Sequence, residues 1–223
     1  MSRVPNGAPK SCMTLAARDV SFAYQRREPI VSQWSAEFVP GSMTALTGPS
    51  GRGKSTLLYL LGLMLRPASG DVLVDGEPSG RLSDARRAAL RARAFGFVFQ
   101  DAALDQTRTL IDNVTEPALY RGDDRIRAAQ RGRALLDRFG VDLPSDRKPG
   151  QISGGQAQRI ALSRALVTEP PILLADEPTG NLDPVTTEFV VCALRDYARA
   201  GGVVVVVTHS IALAARCDRE LQL

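Results

Sequence analysis

The sequence predicts an α/β protein with a mostly parallel central sheet. Two continuous apolar runs point to it, "PILLADEP" and "GGVVVVVTH". Unbroken apolar strands of this kind are covered on both faces, as in a parallel sheet flanked by helices. The third observation is "MTALTGPSGRGKSTLLYLLGLM", which reads as strand, glycine-rich turn and apolar helix, the opening of a parallel α/β unit.

In chain order, residues 1–13 read as a flexible leader without the apolar segment of a signal peptide. After the glycine-rich turn and its helix, "GDVLVDGEP" is a short strand closed by an Asp75-Gly76 turn, and "AFGFVFQ" is a second strand rich in aromatic residues. From Asp101 the texture becomes charged and helical, as in "RIRAAQRGRALLDRFG". This predicts a helical subdomain inserted at about residues 101–165 of one domain spanning 14–223. Within it, Leu104, Leu110, Ile111 and Val114 belong either to a surface that receives a partner helix or to a packed helical face.

Charge and cysteine usage narrow the class. The net charge of +4 comes almost wholly from arginine, the lysines being Lys10, Lys54 and Lys148. The arginines are scattered, with clusters such as "DARRAALRARA" that read as solvated helix faces, and no aromatics interleave with them. Nucleic acid is not an expected partner. Three widely spaced cysteines read as free thiols in a reducing compartment. The longest apolar run, "LLYLLGLML", falls short of the roughly 20 residues that cross a bilayer. The expected location is the cytoplasm, with any membrane role exercised through a partner.

The chemistry starts at "GPSGRGKST", Gly48 to Thr56, which satisfies G-x-x-x-x-G-K-[ST] between a strand and a helix. Here Gly48, Pro49, Ser50, Gly51, Arg52 and Gly53 would wrap backbone N–H groups around an anion at a helix N-terminus. Lys54 would reach the β- and γ-phosphates, and Ser55 would ligate Mg²⁺. Asp176 ends the run "ILLAD" and suits a divalent cation; Glu177 follows, placed to orient or deprotonate an attacking water. His209, the sole histidine, ends the valine run. Ligands collect at the carboxyl ends of such strands, so these side chains should converge on the glycine-rich turn.

"ISGGQAQRIALSRAL" contains what reads as a second phosphate cradle, Ser153, Gly154, Gly155 and Gln156 at a helix start. The alternative is an ordinary serine-capped helix. One nucleotide does not need two cradles from one chain. Two copies arranged head to tail use both, and ATP then joins a homodimer that hydrolysis opens.

The set "GPSGRGKST", "FGFVFQ", "ISGGQ", "ILLADEP", "GNLD" and "THS", in this order, resembles the nucleotide-binding subunit of ABC transporters over residues 14–221. The resemblance implies a P-loop NTPase core with an N-terminal antiparallel β portion, and ATP and Mg²⁺ as cofactors. It also implies an integral membrane permease as partner, and so a peripheral place on the inner face of the membrane. By resemblance, Tyr24 stacks on adenine, and Gln100 senses Mg²⁺ and the γ-phosphate. Ser153 to Gln156 bind the partner's ATP, Asp183 signals across the interface, and His209 is the switch histidine. Finer texture is similar to the lipoprotein-release (LolD-like), macrolide-export (MacB-like) and cell-division (FtsE-like) ATPases, which implies export or transmission of mechanical force. A cell-division role and a soluble ATPase acting on nucleic acid or ribosomes are the alternatives. The departures are Ile152 for the usual leucine, Arg52 in the phosphate loop, and an end at Leu223 soon after the histidine.

Overall fold

Alternation of buried and exposed residues separates two sheets in this computed structural model, which describes residues 12–24, 29–49, 51–150, 152–180 and 182–223. Strands β1 (Leu15–Phe22) and β2 (Val31–Phe38) bury Leu15, Ala17 and Val20, and Val31, Ala36 and Phe38, and turn their other side chains outward. With β4 (Ser69–Val74) and β5 (Glu77–Pro78) they form an antiparallel sheet of order β2-β1-β4-β5. One solvated face is normal for such a sheet.

The second sheet is parallel, order β6-β7-β8-β3-β9, from β3 (Met43–Thr47), β6 (Phe95–Val98), β7 (Ile172–Asp176), β8 (Val203–Val207) and β9 (Arg219–Gln222). Every residue of β7 and β8 is buried. The pleat sends alternate side chains to opposite faces. Val203, Val205 and Val207 pack with helix α1 (Lys54–Leu61) and the antiparallel sheet. Val204 and Val206 pack against α5 (Gly154–Leu166) and α6 (Pro184–Arg199). Each fully buried valine contributes about 1.5–3 kcal/mol. The edge strand β9, unassigned from sequence, pairs Leu221 with Leu46.

Helix α2 (Asp84–Ala94) follows β5, and α3 (Leu110–Arg121) and α4 (Arg125–Arg138) join α5 around a core of their own that includes Leu110, Val114, Leu136 and Ile160. Leu104 and Ile111 pack against that core, so these four residues form a packed face and not a receiving surface. A short α7 (Ile211–Ala214) precedes β9. The arginine cluster of α2 is not wholly solvated: Arg87 is buried, and its Nη2 donates to the carbonyls of Leu63 and Leu65. No helix among the described residues is long and apolar enough to cross a membrane.

Register brings the site together. Val207 aligns with Leu46 on one side and Asp176 on the other. Beyond the strands, the Glu177 N–H donates to the Val207 carbonyl at 2.9 Å and the Thr208 N–H to the Leu46 carbonyl at 3.1 Å. The ends of β3, β7 and β8 therefore lie side by side.

Candidate functional site

Backbone geometry explains the glycine-rich loop. Gly53 has φ +85°, and a Cβ there would lie 2.2 Å from Cγ2 of Ile30; Gly48 has φ +142°, and its Cβ would lie 2.8 Å from the Leu223 carbonyl oxygen. A side chain at either position is excluded by conformation and by space. Among the described residues no side chain caps α1, which leaves its first N–H groups aimed along the loop for an anion. Lys54 is buried, and its Nζ donates to the carbonyls of Gly48 and Pro49 at 2.8 and 3.0 Å. Arg52 is exposed, and Ser50 lies outside the described residues.

The loop opens on a cavity of about 440 Å³ lined by Lys54, Ser55, Thr56, Gln100, Glu177 and His209, among others. Asp176, 6% exposed, reaches that lining through Ser55. Its Oδ1 accepts from Ser55 Oγ at 3.0 Å and its Oδ2 from Tyr59 Oη at 3.3 Å. Burial pushes the Asp176 carboxyl above the usual carboxylate range, and the Ser55 and Tyr59 hydroxyls pull it part of the way back. Glu177 takes a left-handed backbone, φ +43°, a strained conformation for a residue with a side chain. Its Oε1 lies 2.8 Å from His209 Nδ1, and its Oε2 accepts from Thr208 Oγ1 at 3.2 Å. A carboxylate held at both oxygens has a fixed direction, which is what a positioned base requires.

The second predicted cradle does not line this cavity. Ser153 caps α5: its Oγ accepts from the Gln156 N–H at 3.2 Å, and Gln156 Oε1 accepts from the Ser153 N–H at 3.0 Å. This is a capping box, which satisfies two helix-end donors reciprocally. A Cβ on Gly155 would lie 2.8 Å from Thr186 Oγ1, whereas a Cβ on Gly154 would meet open space. Asp183 caps α6, accepting from the N–H groups of Val185 and Thr186 and from the Thr186 hydroxyl, which together hold its carboxyl below the usual range. Tyr24 is exposed, packs edge-on against Phe22 at 4.8 Å, and stands apart from the cavity lining.

Three side chains escaped the sequence reading. Tyr59 lay inside an apolar run, although its position four residues after Ser55 puts both on one helix face. Thr208 touches Glu177 from the residue before His209. Buried Gln158 donates from Nε2 to the Pro178 carbonyl at 3.0 Å, tying α5 to the turn after Glu177. A polar residue on a mostly apolar helix was the available signal.

The family model for ABC transporters matches residues 31–180. The chain is 46% identical over 198 residues to the lipoprotein-releasing system ATP-binding protein LolD of Bordetella pertussis (strain Tohama I), covering 88% of this chain and 86% of that one. It is 44% identical over 203 residues to the LolD protein of Myxococcus xanthus (strain DK1622), covering 91% of each. The ATP-binding cassette MJ0796, in a dimeric post-hydrolysis state bound to ADP and Pi, superposes with a TM-score of 0.82 at 33% identity over 94% of each chain. With the phosphate loop, the acidic strand end and the Glu177–His209 pair at one cavity, the chain belongs to the ABC transporter family and is an ATPase cassette of it.

Proposed function

We propose that this chain is the ATP-hydrolysing subunit of a membrane transporter, working as a homodimer that MgATP closes and hydrolysis reopens. The observation that supports this best is the cavity itself, in which Lys54, the Ser55 and Thr56 hydroxyls and a doubly held carboxylate gather at a helix N-terminus. Lys54 lies on the loop where the β- and γ-phosphates of ATP would be cradled. Ser55, Asp176 and Gln100 offer the few oxygen donors that Mg²⁺ takes alongside water and phosphate. The raised pKa of buried Asp176 marks a carboxylate whose charge a divalent cation would compensate, so these residues fit the ion. Mg²⁺ supplies charge neutralisation on the phosphates.

Hydrolysis in this reading needs a proton acceptor for the attacking water. Glu177 takes that role, and His209, held by the same carboxylate, contacts the γ-phosphate. Ser153 and Gly154 stand at the N-terminus of α5, where a partner's γ-phosphate would bind, and Asp183 shares that surface. Tyr24 would stack on adenine.

A groove of about 770 Å³ runs between α2, β6, α3 and α5, lined by Ala92, Phe97, Phe99, Pro117 and Tyr120 among others. Its apolar, aromatic lining fits a helix from an integral membrane subunit, and such a partner would hold the chain peripherally on the inner face of the membrane. The relatives named for a lipoprotein-releasing system favour release of lipoproteins over a cell-division role; the membrane protein that co-purifies with the chain decides between them. The test of the ATPase assignment is Glu177→Gln. Hydrolysis should fall by ~10²–10⁴-fold, the usual contribution of a positioned base, with ATP binding retained and an ATP-bound dimer trapped. Normal turnover would overturn the role of Glu177.

A further inference from the structure

Arg164 stands in the last turn of α5 and is 8% exposed. Its Nη2 donates to the Ala102 carbonyl at 2.6 Å and its Nη1 to the Ala103 carbonyl at 2.7 Å. A buried guanidinium is costly unless its hydrogens find acceptors, and here the acceptors are two consecutive main-chain oxygens. Both alanines have left-handed backbones, φ +56° and +46°. Consecutive residues with a Cβ seldom adopt that region and leave it when nothing holds them.

The strained pair begins two residues after Gln100. Beyond it the chain is pinned again, because buried Asn113 accepts from the Asp105 N–H at 2.7 Å and donates to the Asp105 carbonyl at 3.0 Å. Between the cavity and that anchor, the Ala102 N–H donates to the Phe99 carbonyl at 3.2 Å and the Ala103 N–H to the Asp101 carbonyl at 2.5 Å, and the Arg164 fork tethers this turn to α5. The same helix reaches the segment after Glu177 through Gln158. One rigid element thus touches both the Gln100 turn and the Glu177 turn.

From this geometry we infer that Arg164 is a positioning residue for ATP hydrolysis, holding the turn at Ala102–Ala103 so that Gln100 faces the nucleotide cavity. The inference rests on the ATPase reading above. Arg164 and Ala103 also line the apolar groove, so an occupant there lies against the tether itself.

The test compares Arg164→Met, Gln100→Ala and the double variant in the full chain. Arg164→Met should speed amide hydrogen exchange at residues 101–105 by about tenfold or more, leaving β7 and the interior of α5 unchanged. The turnover number should drop about tenfold, with ADP affinity within about twofold, and the double variant should be no slower than Gln100→Ala alone. Arg164→Lys, which keeps the charge but not the fork, should fall between wild type and Arg164→Met, and it carries the exchange measurement if the methionine variant does not fold. Unchanged exchange, or fully additive losses, overturns the inference. Glu177→Gln run in parallel separates the two failures. Additive losses with an inactive Glu177→Gln sink the tether alone; an active Glu177→Gln sinks the site assignment, and the exchange data still judge the tether.

Discussion

Tyr59 tunes the carboxylate it touches. Burial and neighbouring Asp176 raise the Tyr59 phenol above its ordinary pKa, so it stays a neutral donor throughout the working range. Its hydrogen bond is one of the influences that lower the pKa of Asp176, against the larger raising effect of burial. Tyr59→Phe removes a lowering influence, so the Asp176 pKa rises further. If hydrolysis needs Asp176 ionised, the acid limb of the kcat/KM profile, which reports the free enzyme, moves to higher pH while the plateau stays near its original height. Stability follows the same sign. A carboxylate whose folded pKa is raised contributes stability while protonated and loses it as pH rises through that pKa. The variant should therefore be less stable at neutral pH by about 1 kcal/mol, the net value of such a bond, lowering Tm by about 2–4 °C for a chain of this size. That deficit should shrink on acidification. Calorimetry and steady-state rates across pH check both limbs, and an unmoved acid limb would detach Tyr59 from the chemistry.

At the scale of elements, α5 carries two loads at one terminus. Ser153 caps it within the chain, and the proposed dimer asks the same hydroxyl to face a partner's phosphate. Ser153→Asp separates the roles. Aspartate caps a helix about as well as serine and suits the positive end of the helix dipole, so Tm should hold. A carboxylate against a γ-phosphate repels, so ATP-driven dimerisation should vanish when followed by light scattering in a Glu177→Gln background. Persistence of the dimer would leave Ser153 a cap and nothing more. Such doubling limits what a sequence discloses: β7 and β8 were legible because burial on both faces leaves an unbroken apolar run. By contrast β1 and β2 came only through the resemblance, since register shifts near Arg18 and Val20 break their alternation, and polar β9 carries no strand signal. The phosphate loop, Asp176, Glu177 and His209 were legible because local spacing defines them. Arg87 and Arg164 were not, because an arginine on a helix reads as solvated until tertiary contacts supply carbonyls for its fork.

For the whole molecule, the separation between the cavity and the Ser153 terminus of α5 decides the argument. If a partner completes each site across a two-fold axis, every ATP bridges the loop of one chain and the helix start of the other, and contacts come in reciprocal pairs. Lys54→Ala then spoils the loop side of a site, and Ser153→Asp spoils the helix side. A pair of Lys54→Ala chains has no intact site, nor does a pair of Ser153→Asp chains. A mixed pair keeps one, made from Lys54 of the second variant and Ser153 of the first. In a Glu177→Gln background, a tagged Ser153→Asp chain should retain untagged Lys54→Ala chain in the presence of MgATP by about tenfold or more over either variant with itself, the ratio expected if the surviving bridge contributes at least 1.4 kcal/mol. Removing ATP should abolish the difference. A mixed pair no tighter than the matched pairs would mean that each chain supplies both contacts to its own nucleotide, and the head-to-tail arrangement would have to be abandoned.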